Sequence, residues 1–229
     1  MNSNSLIRFL NRLCGLGKIV VYLIILLIGG LILYVSSRYF DSNDTGGYLA
    51  GRAENIINTI RISLLFHAVA SFVAIVFAST LIFFRIELIY PKLHRLTGKM
   101  VVLLVLFIIV PTGFILSFNA LGGPVGKLIF TLLTILTLIS ISFGFYFASQ
   151  RRINLHRKWM LRFFILLTSA IWLRINLFIC FQVKWVISEN DYLLCAILSW
   201  LPQLLLLELY FWQQSKKINA SKKEPKLPQ

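Results

Sequence analysis

The sequence predicts an all-α fold, a polytopic transmembrane bundle of about six spans with both termini cytoplasmic, and three observations carry that prediction. Hydrophobic residues fill 58% of the 229 positions and the mean hydropathy is +0.82, well above a soluble mixture. The apolar residues fall in blocks of about 20, the length a helix needs to cross ~30 Å of hydrocarbon. Most of the charge behind the net +15 falls in the segments between blocks or at their ends. With the N-terminus inside, 16 of the 23 lysines and arginines fall on the cytoplasmic face and five on the outer face, together with five of the eight acids. That is the positive-inside pattern, and an even number of spans returns the C-terminus to the same side. So placed, the charge excludes nucleic acid as the partner and points to the lipid bilayer, with anionic lipids at the cytoplasmic face.

Taken in order, residues 1–17 hold "LIRFLNRL", with Leu6, Phe9, Leu10 and Leu13 on one helical face and both arginines on the other; this is an interfacial amphipathic lead-in. The six-helix transmembrane domain follows over 18–213. Its first block, Lys18 to Ser37, is preceded by basic residues as a secretory signal would be, but "YVSSRYF" offers no small-residue cleavage site, so a retained helix is expected. The polar stretch Arg38 to Ile60 contains "DSNDTGG" and forms the main outer loop. Three blocks follow, Ile62 to Phe84, Met100 to Phe118 and Val125 to Ser149. Between the last two, "GGPVG" (Gly122 to Gly126) reads as a tight turn, since it lacks the lysine and hydroxyl residue of a phosphate loop. Trp159 to Gln182 and Tyr192 to Trp212 complete the set. Runs this long close their backbone bonds as helices rather than as alternating barrel strands. Pro111 and Pro202 fall near mid-span, where each is expected to bend its helix. Gly29, Gly30 and Gly144 permit close helix contact. The lysine-rich 214–229 has little to bury and is expected to be a disordered basic tail.

Polar residues inside lipid are the candidates for function, and helix rise sorts them by depth. His94 and His156 each open a helix at the cytoplasmic interface, with Arg162 and Glu208 at comparable depth on the fifth and sixth spans. These four define a candidate inner site. His67 lies about 9 Å below the outer surface, and Arg174, ~18 Å beyond Arg162, comes close to its level. With Asn176 they define a candidate outer site. Each feature also has a plain structural reading: Glu208 neutralises Arg162, the interfacial histidines anchor beside basic and aromatic residues, and His67 bonds a neighbouring helix. The sharper reading of the inner site is haem b, with His94 and His156 as the two iron ligands, Gly98 leaving room for a flat ring, and Arg95, Arg157 or Arg162 pairing with propionates. Aromatic walls there would equally suit a quinone or a lipid chain. His67 stands more than ~20 Å from either ligand and cannot share that iron.

Other chemistry finds little footing. There is no Walker loop, no GxGxxG, no HExxH and no CxxC. Cys180 and Cys195 fall near the outer ends of the fifth and sixth spans, where they either pack as small apolar groups or meet as a bridge.

"FHAVASF" (66–72), "LHRLTGK" (93–99), the pair Gly122 and Gly123, and "RRINLHRKWMLRF" (151–163) followed by Arg174 resemble the bacterial membrane proteins grouped as domain of unknown function 2306. The likeness covers a family-like core of about 61–174. It implies a multi-pass bacterial plasma-membrane protein and singles out His67, His94, Arg95, Gly98, His156, Trp159, Met160, Arg162 and Arg174, without supplying an activity. Where the family's fourth helix is expected to carry a tryptophan, this chain reads "ISFGFYFAS". The leading specific reading is membrane redox chemistry with haem b or a quinone near His94 and His156; the alternatives are a non-redox carrier or binder of a small anion or lipid using His67 and Arg174, and a ligand-free structural or regulatory membrane protein.

Overall fold

The structure is a computed structural model that describes the backbone of residues 3–37, 54–184 and 188–223, and side chains within 15–37, 56–183 and 188–216. Residues 38–53 of the expected outer loop, the side chains of 1–14 in the lead-in and the end of the basic tail lie outside those residues, while 54–60, expected in that loop, already form the first turns of the second helix. The described residues form helices α1 (Ser3–Ser37), α2 (Glu54–Phe83), α3 (Ile86–Ile89) and α4 (Pro91–Leu104), a π-helical turn Val105–Ile109, then α5 (Val110–Phe118), α6 (Gly123–Ser149), α7 (Ile153–Leu167), α8 (Ser169–Lys184), α9 (Glu189–Leu198) and α10 (Leu201–Lys223). They group into six spans long and apolar enough to cross a membrane: Gly15–Ser37, Ile56–Phe83, Pro91–Phe118, Gly123–Ser149, Ile153–Val183 and Glu189–Lys216. The protein is thus an all-helical polytopic bundle. Consecutive spans run antiparallel: Tyr22 near the start of the first bonds Thr80 near the end of the second through their hydroxyls (3.0 Å). The end of the bundle nearer the termini is called the terminal end below, and the opposite one the far end.

Packing follows the small residues. Ala70, Ala74 and Ala78 share one face of α2 at helical spacing, and the buried cluster they join includes Val101, Val105, Ile141 and Phe163. Small side chains let backbones approach, the main source of helix association in lipid. A second cluster joins Ile129, Leu166 and Leu173 to Cys195, Ala196 and Trp200, seating the sixth span against the fourth and fifth. Outward faces carry residues such as Phe107, Leu128 and Leu206, each about two-thirds exposed or more and suited to lipid.

The turn between α5 and α6 requires its glycines. Gly122 and Gly123 take φ of +88° and +60°, a region L-residues avoid. A Cβ on Gly126 would stand 1.9 Å from the Leu121 carbonyl oxygen.

Three of the six spans are interrupted, and two interruptions fall where proline predicts them. The π-turn ends just before Pro111, with the Val110 N–H reaching back to the Val105 carbonyl. Proline lacks the N–H that would continue a regular helix, and the wider turn accommodates it. The sixth span breaks at Ser199 and Trp200, and Pro202 sits in the first turn of α10. The fifth span breaks at Thr168 without any proline. There the hydroxyl donates to the Phe164 and Ile165 carbonyls at 3.0 and 3.1 Å, a back-bond that bends helices.

Candidate functional site

At the terminal end, the "NLHRKWMLRFF" segment of α7 packs onto α6 at Gly144. A Cβ there would stand 2.7 Å from the Met160 sulfur and 3.8 Å from the Trp159 Cβ. Only glycine lets α7 come this close. Trp159 stacks on Phe143 with ring centroids 4.8 Å apart. His156 Nδ1 lies 2.8 Å from the Gly144 carbonyl oxygen; a carbonyl only accepts, so Nδ1 carries the proton and donates. Arg162 donates through Nε and Nη2 to both oxygens of Glu208, at 2.5 and 2.9 Å. Its guanidinium lies against the rings of Trp159 (4.6 Å) and Phe211 (5.1 Å). The cation therefore has a bidentate acceptor and two aromatic faces.

His94 lies within electrostatic reach of His156 and Glu87, and its Nδ1 is buried without a hydrogen-bond partner among the described residues. Glu87 in turn is approached by Arg85 and Arg157, both at 3.8 Å. Arg95 is exposed. No neighbour would lie within 4 Å of a Cβ on Gly98. Two subsets emerge: Trp159, Met160, Arg162 and Glu208 form one packed cluster with His156, while His94 looks toward it from α4.

Toward the far half of the bundle lies a cavity of about 730 Å³, lined by His67, Arg174 and Tyr192 among polar residues and by Ile32, Phe72 and Leu177 among apolar ones. The π-turn orients the histidine. His67 Nδ1 lies 3.1 Å from the Ile109 carbonyl oxygen and 3.0 Å from Thr112 Oγ1. Thr112 spends its own hydroxyl proton on the Ile108 carbonyl at 2.5 Å. Both neighbours of Nδ1 are thus acceptors, and Nδ1 holds the proton. Nε2 is then the lone-pair nitrogen, and it has no partner among the described residues. Gly113 keeps the space beside the ring, since a Cβ there would meet His67 Cε1 at 3.4 Å and Thr134 at 3.3 Å.

Arg174 lies about 13 Å from the far end of its span, and His67 about 16 Å from the far end of its own. Both reach the same cavity. Arg174 forms no ion pair or hydrogen bond among the described residues, and its field reaches Tyr192 across the cavity wall. Asn176, grouped with them by depth, does not line this cavity; its amide donates to the Cys195 carbonyl at 3.3 Å and ties α8 to α9. Tyr192 and Thr112 were not singled out by sequence. Tyr192 opens the sixth span at the far side, so the depth ruler applied to Arg174 could have found it. Thr112 had only its place beside Pro111 as a signal. Cys180 and Cys195 pack in one apolar cluster without a disulfide between them. Among the described residues, no group of three or more His, Cys, Asp or Glu gathers as a metal site.

A family model described as a predicted membrane protein, DUF2306, matches residues 64–211, well over half of the chain. The chain belongs to this family. The DUF2306 match runs beyond the motif-bearing core, through the sixth span to Phe211, and so takes in Glu208 as well as both histidine neighbourhoods. The first span precedes it. No curated protein and no solved structure matches the chain.

Proposed function

We propose that this protein binds an amphipathic molecule with an anionic head in the far cavity, as a non-redox binder or carrier of a lipid or small anion. One observation carries this reading: Arg174, unpaired among the described residues, opens into the same largely apolar cavity as an imidazole with a free nitrogen. A cation at this depth costs several kcal/mol unless it meets an acceptor. The apolar walls suit a chain, and the volume falls in the range of small-molecule pockets. With both termini in the cytoplasm of a bacterium, as the basic residues favour, the cavity would sit in the outer half of the plasma membrane.

Lipid analysis of the protein purified in mild detergent tests this. Anionic lipid should stay with the wild type and be lost from Arg174→Gln at equal folded yield. Equal retention by both would overturn it.

The redox reading keeps two supporting observations, the open space beside Gly98 and the bonding of His156. A ring N–H held by a backbone carbonyl, as in His156, is the arrangement that orients histidine ligands. His94, however, lacks such a partner among the described residues. Oxidised and dithionite-reduced visible spectra decide: a reduced α-band lost in both His94→Ala and His156→Ala would establish a haem.

A further inference from the structure

The cavity offers its ligand an asymmetric set of partners. Arg174 can only donate, through a delocalised cation. His67 Nε2 can only accept while the ring is neutral, because Nδ1 is committed to Ile109 and Thr112. We infer that the head group joins an anionic oxygen, facing Arg174, to a hydroxyl hydrogen, facing His67 Nε2: a phosphate ester of a polyol, as in a glycerol phosphate lipid head. The inference rests on the proposed reading of the cavity as a binding site and names the chemistry that reading leaves open.

Each alternative leaves one partner unmet or adds a second cation. A choline head has no O–H or N–H to give His67, and its cation would share the cavity with Arg174. An ethanolamine head can donate, but brings the same positive charge. A fatty carboxylate satisfies Arg174 and, once ionised, leaves Nε2 without a donor. Of these heads, a polyol phosphate supplies both without adding a cation. The apolar walls, including Ile32, Phe72 and Leu133, then receive the acyl chains. His67 acts here through a tautomer fixed by the backbone at the π-turn, a feature often found at functional sites.

The test uses the full chain in detergent and short-chain lipids that differ only in the head. Phosphatidylglycerol is compared with phosphatidylpropanol, which keeps the phosphodiester anion and loses the hydroxyls, with the choline and ethanolamine counterparts, and with soluble glycerol phosphate. In the wild type, phosphatidylglycerol should bind about tenfold more tightly than phosphatidylpropanol, the scale of one buried hydrogen bond left unmade. His67→Phe should erase that difference, while Arg174→Gln should weaken both. Because the first comparison needs no variant, it stands even if His67→Phe fails to fold. Equal affinity for the two anionic lipids overturns the inference and leaves the anion-binding reading intact. Equal affinity for the choline lipid, or no binding by any probe, overturns both. Glycerol phosphate binding as tightly as the lipid upholds the donor and acceptor assignment and makes the source a soluble ester.

Discussion

Arg162 and Arg174 stand on one span, twelve residues apart, and the protein treats them in opposite ways. Arg162 is held by both oxygens of Glu208 and flanked by Trp159 and Phe211. Among the described residues Arg174 has none of this, and it opens into a cavity with His67. The histidines nearby repeat the contrast. Both His156 and His67 fix their tautomer by donating from Nδ1 to a backbone carbonyl, but the first sits where α7 is pressed onto Gly144 and the second lines open space. A polar group inside lipid that has spent its bonds on the protein is architecture. One that has kept a bond in reserve is available to a ligand.

The largest effect should come from breaking the satisfied pair. Glu208→Ala leaves Arg162 without its acceptor near the terminal-end interface, and about 2–3 kcal/mol of stability should be lost. Replacing both residues with leucine or methionine should recover most of it. Detergent unfolding of the two singles and the double measures this; a single variant as stable as the wild type would reduce the pair to decoration. Next in size is Gly144→Leu. Its side chain must displace Met160 and lift α7 from α6, at a cost of about 2 kcal/mol, and should also free His156 from the Gly144 carbonyl, visible as a shifted ring resonance in NMR. Smaller again, Thr112→Val should cost about 0.6 kcal/mol, a typical hydrogen bond inside a membrane bundle. It should leave His67 bonded to Ile109 and ligand discrimination in place.

Much of this was legible before the structure. Six blocks of apolar residues gave six spans, and Pro111 and Pro202 marked two of the three interrupted helices, because a missing N–H is a local property of the chain. The break at Thr168 was not legible, since a threonine bends a helix only when its hydroxyl turns back to the carbonyl, and a threonine elsewhere on a span looks the same in sequence. Depth along each helix brought His67 level with Arg174. It could not separate Asn176, which stands two residues from Arg174 but points toward α9, because rise fixes height and leaves rotation about the axis to packing. The two roles of arginine were likewise hidden: Glu208 could be matched to Arg162 by depth, whereas the openness beside Arg174 is made by residues on several spans, Gly113 among them.

The smallest expected effect on stability is the one that sharpens the comparison most. Arg174→Gln removes a charge that the protein itself does not pair among the described residues, so the ligand-free protein should unfold within about 0.5 kcal/mol of the wild type, or slightly later, since an uncompensated cation in lipid is a cost. The stabilisation given by added anionic lipid should meanwhile vanish. Both results come from one pair of melting curves, with and without lipid. Loss of several kcal/mol in the ligand-free state would mean that Arg174 is satisfied within the fold after all, and would place it with Arg162. Unchanged stability with lipid stabilisation intact would leave the cavity to His67 and Tyr192 and remove the arginine from the site.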